Sequence, residues 1–264
     1  MRKVCKSFLQ DISNFKYDAN QYVCLLCGSA LQEENPRDTD ILIYAQVELR
    51  NFSRQLLRYL QSIDPTARLA YYKELKLFSI KYQSYSVHIV SSEALHAYID
   101  TISNIKNFVD VNIFDVKLYK QTVYRKWIED TEYLYGNINI RKHILQKLCT
   151  AQKQIPYQKA IQVLREKLKN NISYFYEKTD NTRVGIAGEI IICQIINNLV
   201  CLSYLMNHKF YGTVKYIEQD LMGFRGHDIF SGNCLDLLRG INRKDYGFYN
   251  KIYKKILKKL EEIK

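Results

Sequence analysis

Two short apolar runs, Tyr22–Cys27 and Ile41–Tyr44, enclose a polar segment that holds a glycine, a serine, a proline and two aspartates. Apolar runs of this length, bounded by turn residues, read as buried strands. The first run stops at Gly28-Ser29, a helix-compatible stretch from Ala30 to Glu34 follows, and Pro36 ends anything helical. Asp38-Thr39-Asp40 then leads into the second run. Side chains alternate along a strand, which predicts Asp38 and Asp40 on one face at the edge of an otherwise hydrophobic sheet. Two neighbouring carboxylates repel, and each is costly to desolvate without a compensating cation. Their hard oxygens suit Mg²⁺, which is usually held by one or two carboxylates plus substrate phosphates. Gly28 permits close backbone approach, and the amides of the following turn, with the Ser29 hydroxyl, are suited to cradling a phosphate.

A strand, Gly-Ser, a spacer of roughly ten residues and Asp-x-Asp on the next strand resembles the signature of the nucleotidyltransferase superfamily, the DNA polymerase beta-like fold. The match rests on Gly28, Ser29, Asp38 and Asp40. The resemblance implies transfer of a nucleoside monophosphate from a Mg²⁺-bound nucleoside triphosphate to an acceptor hydroxyl. Asp38 and Asp40 would be the metal ligands, and Gly28 and Ser29 would hold the β- and γ-phosphates. In that family a later strand carries a third carboxylate, usually an Asp followed by alternating apolar residues. Here the alternating segment is SVHIV, with Ser86 where the acid should stand and His88 two residues on, facing the same way. Either His88, whose ordinary pKa suits general-base work near neutral pH, takes over the proton, or Glu74 from the neighbouring strand substitutes. Failing both, the chain is a degenerate relative that binds nucleotide or RNA without turnover.

Composition sets wider bounds. The chain has 264 residues, 47% hydrophobic and 25% charged, with only 3 prolines and 10 glycines. That is long enough for two domains with substantial cores, and it argues against a turn-rich all-β fold or a long flexible linker. No apolar run is expected to reach the ~20 residues of a membrane span, and residues 1–10 lack a signal-peptide core. The expectation is a soluble, cytoplasmic protein without a membrane partner. Seven scattered cysteines read as reduced thiols, and Cys24-Leu-Leu-Cys27 lacks a second ligand pair for zinc.

Charge is unevenly spread. Residues 1–115 balance 13 Lys+Arg against 13 Asp+Glu, whereas residues 116–264 carry 26 against 14. That asymmetry fits a polyanion handled by the C-terminal region, with RNA or tRNA as the expected acceptor. A small-molecule acceptor, as in aminoglycoside or lincosamide adenylyltransferases, is the alternative that the resemblance implies.

The remaining pattern predicts helices near 8–17 and 47–63, the latter closed by Asp64-Pro65, strands in ARLAYY, LKLFSIKY and YSVHIVSS, and a hairpin turn at Gln83-Ser84. Arg50, Arg54 and Arg58 form a stripe on the second of those helices, suited either to solvent or to phosphate. From Ser92 onward the texture is helical, through VKLYKQTVYRKWIEDTEYL, a helix opened by Pro156 and the apolar VGIAGEIIICQIINNLVCLSYLMN, which Asp180 or Thr182 could cap. In LMNHKFYGTVK the family resemblance puts Lys215 on the triphosphate, although a solvated lysine is equally compatible with the residues. In the last helix Lys251, Lys254, Lys255, Lys258 and Lys259, with Tyr249 and Tyr253 between them, could meet RNA phosphates and bases. The expected architecture is α+β: a nucleotidyltransferase mixed sheet with flanking helices over 1–115, then an all-α bundle over 116–264, with the site in the cleft between them.

Overall fold

The computed structural model describes residues 5–31, 38–113, 127–179, 184–209, 217–224 and 230–263. The chain is α+β and divides into two compact units. One comprises residues 1–102 and 123–154, the other 103–122 and 155–264. Residues 123–154 group with the first unit because they supply a strand to its sheet, so a limit at residue 115 does not follow the packing.

The first unit is built on a six-stranded mixed sheet. In chain order its elements are α1 (Lys6–Ser13), β1 (Tyr22–Cys27), β2 (Thr39–Ala45), α2 (Leu49–Ile63), β3 (Arg68–Tyr72), β4 (Leu77–Tyr82), β5 (Tyr85–Ser91) and α3 (Ser92–Thr101). The strands run β3-β4-β5-β2-β1-β6, with β6 at Glu132–Gly136. Among the described residues only β2 and β5 pair in parallel. β1 is buried along its whole length, as expected of an inner strand covered on both faces. On one face Cys24, Leu26, Ile41, Ile43, Val87 and Ile89 pack under α1 and α2, where Phe52, Leu56 and Leu60 recur every four residues. Glu48 caps α2 by accepting from the amides of Arg50 (2.9 Å) and Asn51 (2.7 Å), while Arg50, Arg54 and Arg58 point to solvent. The other face buries Val23, Leu25, Leu42 and Tyr44, with α3 against β5. The helix Ile138–Lys153, absent from the sequence expectation, joins this side against α3 and β1.

β6 corrects the helix predicted through EDTEYL. Gly136 (φ +90°) approaches β1 so closely that a Cβ would lie 2.4 Å from the Tyr22 carbonyl oxygen. Only glycine tolerates that approach, and a helix would leave the edge of β1 unpaired. The Gln83-Ser84 hairpin forms as expected, with Gln83 in the left-handed region (φ 50°).

The described elements of the second unit are all helices. After a single turn, α4 (Lys106–Val109), the numbering continues with α5 for Ile138–Lys153 of the first unit. The second unit then contributes α6 (Tyr157–Lys178), α7 (Ile186–Met206), α8 (Ile217–Phe224), α9 (Ser231–Arg239) and α10 (Tyr246–Glu262). α7 packs on α4, α6, α8 and α9, and it forms the centre of this core. Contrary to the expectation from run length, α7 is long and apolar enough by composition to cross a membrane. Of its most apolar window, 61% is buried inside the protein. All seven cysteines are free thiols. Asp180 and Thr182, the candidate caps of α7, lie outside the described residues.

Candidate active site

Asp40 is the second residue of β2, and two neighbouring strands converge on it. Antiparallel β1 ends with Cys27 opposite Asp40, and parallel β5 sets Ser86 beside Asp40 and His88 beside Leu42. Paired positions of adjacent strands share a face, so Asp40, Ser86 and His88 project to the same side. The start of β2 is tied down by the Thr39 amide, which donates to the Ser84 carbonyl of the hairpin (3.1 Å).

The chain leaves β1 through Gly28 (φ +73°), in the left-handed region that favours glycine. A Cβ on Gly28 would lie 2.5 Å from Oδ2 of Asp40 and 3.2 Å from its Cβ and Cγ. The Asp40 carboxylate is therefore seated directly on the Gly28 backbone. Its other oxygen, Oδ1, lies 3.5 Å from Nε2 of His88, and the two side chains are 35% and 20% exposed. Both oxygens of one partly open carboxylate are thus positioned.

His88 is held by its surroundings. Its ring stacks on Trp127 (centroids 5.2 Å apart, planes 24° apart), and Nδ1 is buried without a hydrogen-bond partner among the described residues. A neutral imidazole donates from one nitrogen only. Nε2 is the ring nitrogen that faces Asp40, at 3.5 Å, while the buried Nδ1 is left unpaired among the described residues. Only Nε2 can exchange a proton with the site. Trp127 is placed in turn by the Tyr44 hydroxyl, which donates to its carbonyl. Burial, followed by the neighbouring Cys27, pushes the Tyr44 hydroxyl well above its ordinary pKa, with Arg141 opposing, so Tyr44 stays a neutral donor.

Ser86 is buried (3% exposed), and the Lys81 ammonium donates to its hydroxyl. The two-residue hairpin turn pairs Tyr82 with Tyr85 and hence Lys81 with Ser86. An ammonium thus stands where the family resemblance calls for a carboxylate. Lys81 and Trp127 were not among the sequence candidates, although the hairpin register alone would have found Lys81.

The backbone of Glu74 lies away from Asp40. It lies in a short turn between β3 and β4 rather than on a strand. β4 begins opposite Val90, four residues along β5 from Ser86, which sets Glu74 more than about 13 Å along the sheet from Asp40. Asp38 precedes β2 and is exposed. The side chain of Ser29 and all of Lys215 lie outside the described residues. Among the described residues no three His, Cys, Asp or Glu side chains gather as a metal site. Asp40 and the exposed Asp38 are nevertheless of the right chemical type for Mg²⁺ that completes its shell from a substrate. Cys24 and Cys27 are three apart on a strand and face opposite sides, so they cannot share a zinc ion.

Tyr249 and Tyr253 are fully buried and do not offer stacking surfaces. Tyr253 meets Phe175 edge-on at 4.9 Å, and the Tyr249 hydroxyl donates to the Gly240 carbonyl (2.9 Å). They continue the apolar stripe of Ile252, Ile256 and Leu260, a period visible in the sequence. Lys251, Lys254, Lys255 and Lys258 are exposed, and Lys259 pairs with Glu262. No family model and no curated protein matches the chain.

Proposed function

We propose that this protein is a nucleotidyltransferase that moves a nucleoside monophosphate from a Mg²⁺-bound nucleoside triphosphate to an acceptor hydroxyl. The observation that carries the reading is the seat of Asp40 on Gly28, with Ser86 and His88 presented beside it by the parallel pairing of β2 with β5. The start of an inner strand that keeps a carboxylate about one-third open against a bare backbone suits a cation and an anionic substrate better than packing. Asp38 and Asp40 would hold the ion, which when bound neutralises triphosphate charge and aligns in-line attack. Gly28 and Ser29 would hold the β- and γ-phosphates, and Lys215 would reach the triphosphate. His88 stands beside Asp40 through Nε2 and, as a neutral ring that carries its own proton on Nδ1, takes the acceptor proton through the free Nε2.

A second reading, nucleotide binding without turnover, is favoured by the Lys81 ammonium at Ser86, which supplies positive charge where a second metal would need a carboxylate. RNA is the proposed acceptor, through the exposed lysines of α10. With Tyr249 and Tyr253 buried, that interaction is electrostatic only, and its affinity falls steeply with salt. The absence of a stacking platform there keeps a small-molecule acceptor as the competitor. Labelled nucleoside triphosphates presented with total tRNA and with aminoglycosides test all three readings. Transfer to RNA supports the proposal, transfer to the aminoglycoside moves the acceptor, and nucleotide binding without transfer establishes the second reading. The expected compartment is the cytoplasm, where seven free thiols stay reduced.

A further inference from the structure

We propose that the helical unit binds a nucleobase in a cavity between α6, α7 and the segment through Asn112, independently of the Asp40 site. The cavity has a volume of about 800 Å³, within the usual range for small-molecule pockets. Among the described residues five carboxamides line it: Asn112, Asn171, Gln194, Asn197 and Asn198. On α7 the lining residues Ile190, Cys193, Gln194, Asn197 and Asn198 recur every three or four positions and form one face. Lys167 and Asn171, four apart on α6, stand opposite.

The frame is already fastened. The Asn197 side chain accepts from the Ile113 amide (2.7 Å) and donates to the Val111 carbonyl (2.8 Å), clamping the Asn112 segment to α7. Lys167 donates to the Val109 carbonyl (2.7 Å) and pairs with Asp110 (3.0 Å). Among the described residues the one cation lining the cavity, Lys167, is therefore neutralised.

What remains open is amide chemistry. The side chains of Asn171, Gln194 and Asn198 make no hydrogen bond to any described residue, and Asn198 is only 6% exposed. Asn198 is otherwise buried yet keeps its donor and acceptor free on the cavity wall, which suits a polar ligand. A carboxamide offers one donor and one acceptor side by side, the complement of a base edge. Ile190 and Cys193 supply apolar wall for a flat ring, and among the described residues no aromatic ring or carboxylate lines the cavity to favour a sugar.

The inference does not rest on the transferase reading, and its test uses ligands without phosphate. The four ribonucleosides and glucose are titrated at millimolar concentration into the full chain in EDTA, followed by ligand-observed NMR and calorimetry. At least one nucleoside should bind without metal, and Asn198→Leu should weaken it about 10-fold or more without lowering the unfolding midpoint. Asn171→Ala should weaken it as well, and it carries the test if Asn198→Leu fails to fold. Binding of no nucleoside, binding of glucose alone, or affinity unchanged in both variants would overturn the proposal.

Discussion

Gly28→Ala is the smallest change that should disable the proposed site. The added methyl would stand 2.5 Å from Oδ2 of Asp40, about 0.9 Å or more inside an ordinary contact, and 3.2 Å from its Cβ and Cγ. The carboxylate must swing away, because the opposing atoms of the methyl belong to a backbone fixed by β1. An alanine at φ +73° adds about 1–2 kcal/mol of left-handed strain. For a unit of this size that lowers the unfolding midpoint by about 2–8 °C. A displacement near 1 Å at a reacting centre can cost roughly 100-fold in rate, so function should fall far more than stability. Calorimetry of the apo protein and stabilisation by Mg²⁺ with a nucleoside triphosphate separate the two effects. A variant that keeps full ligand stabilisation, whatever its midpoint, would refute the role assigned to the Gly28–Asp40 contact.

Other substitutions probe neighbouring features. Ser86→Asp should fold and keep or raise transfer activity, because the Lys81 ammonium already at this hydroxyl offsets the new charge. The pair Ser86→Asp with Lys81→Met should lose stability by about 1–3 kcal/mol in denaturant titration, since two adjacent carboxylates then face each other uncompensated. His88→Ala should reduce transfer by about 10²- to 10⁴-fold if Nε2 takes the acceptor proton, with nucleotide binding retained; an unaffected rate would remove His88 from the chemistry. On α3, burial first and then Lys147 lower the pKa of His96. The unfolded chain therefore binds its proton more readily, and stability should fall as pH drops below the ordinary histidine value near 6.5. His96→Gln should flatten that slope in pH-dependent thermal unfolding.

The elements that local pattern determines were legible. Tyr22–Cys27 and Tyr157–Lys178 follow directly from the apolar runs and from Pro156, and the hairpin turn at Gln83-Ser84 sets the register that brings Lys81 to Ser86. Strand periodicity also set Ser86 and His88 on one face. Contacts that depend on distant pairing were not legible. β6 reads locally as part of a helix and becomes a strand only because the edge of β1, more than a hundred residues earlier, is open to it. The 3.5 Å approach of His88 to Asp40 requires the parallel pairing of β2 with β5, which no local signal encodes. Glu74 shows the opposite error: its neighbours favour a strand, yet Lys76 turns left-handed (φ 46°) and the chain reverses there.

The central claim is that Asp40, seated on Gly28, serves a metal-bound nucleoside triphosphate. Thermal stabilisation of the full chain by each nucleoside triphosphate, with Mg²⁺ and with EDTA, tests it most directly in wild type and Asp40→Asn. Wild type should be stabilised only with Mg²⁺, by about 2.7 kcal/mol at one hundred times the dissociation constant, and Asp40→Asn should fold yet show no such gain. Equal stabilisation of both proteins, or of neither, would contradict the account.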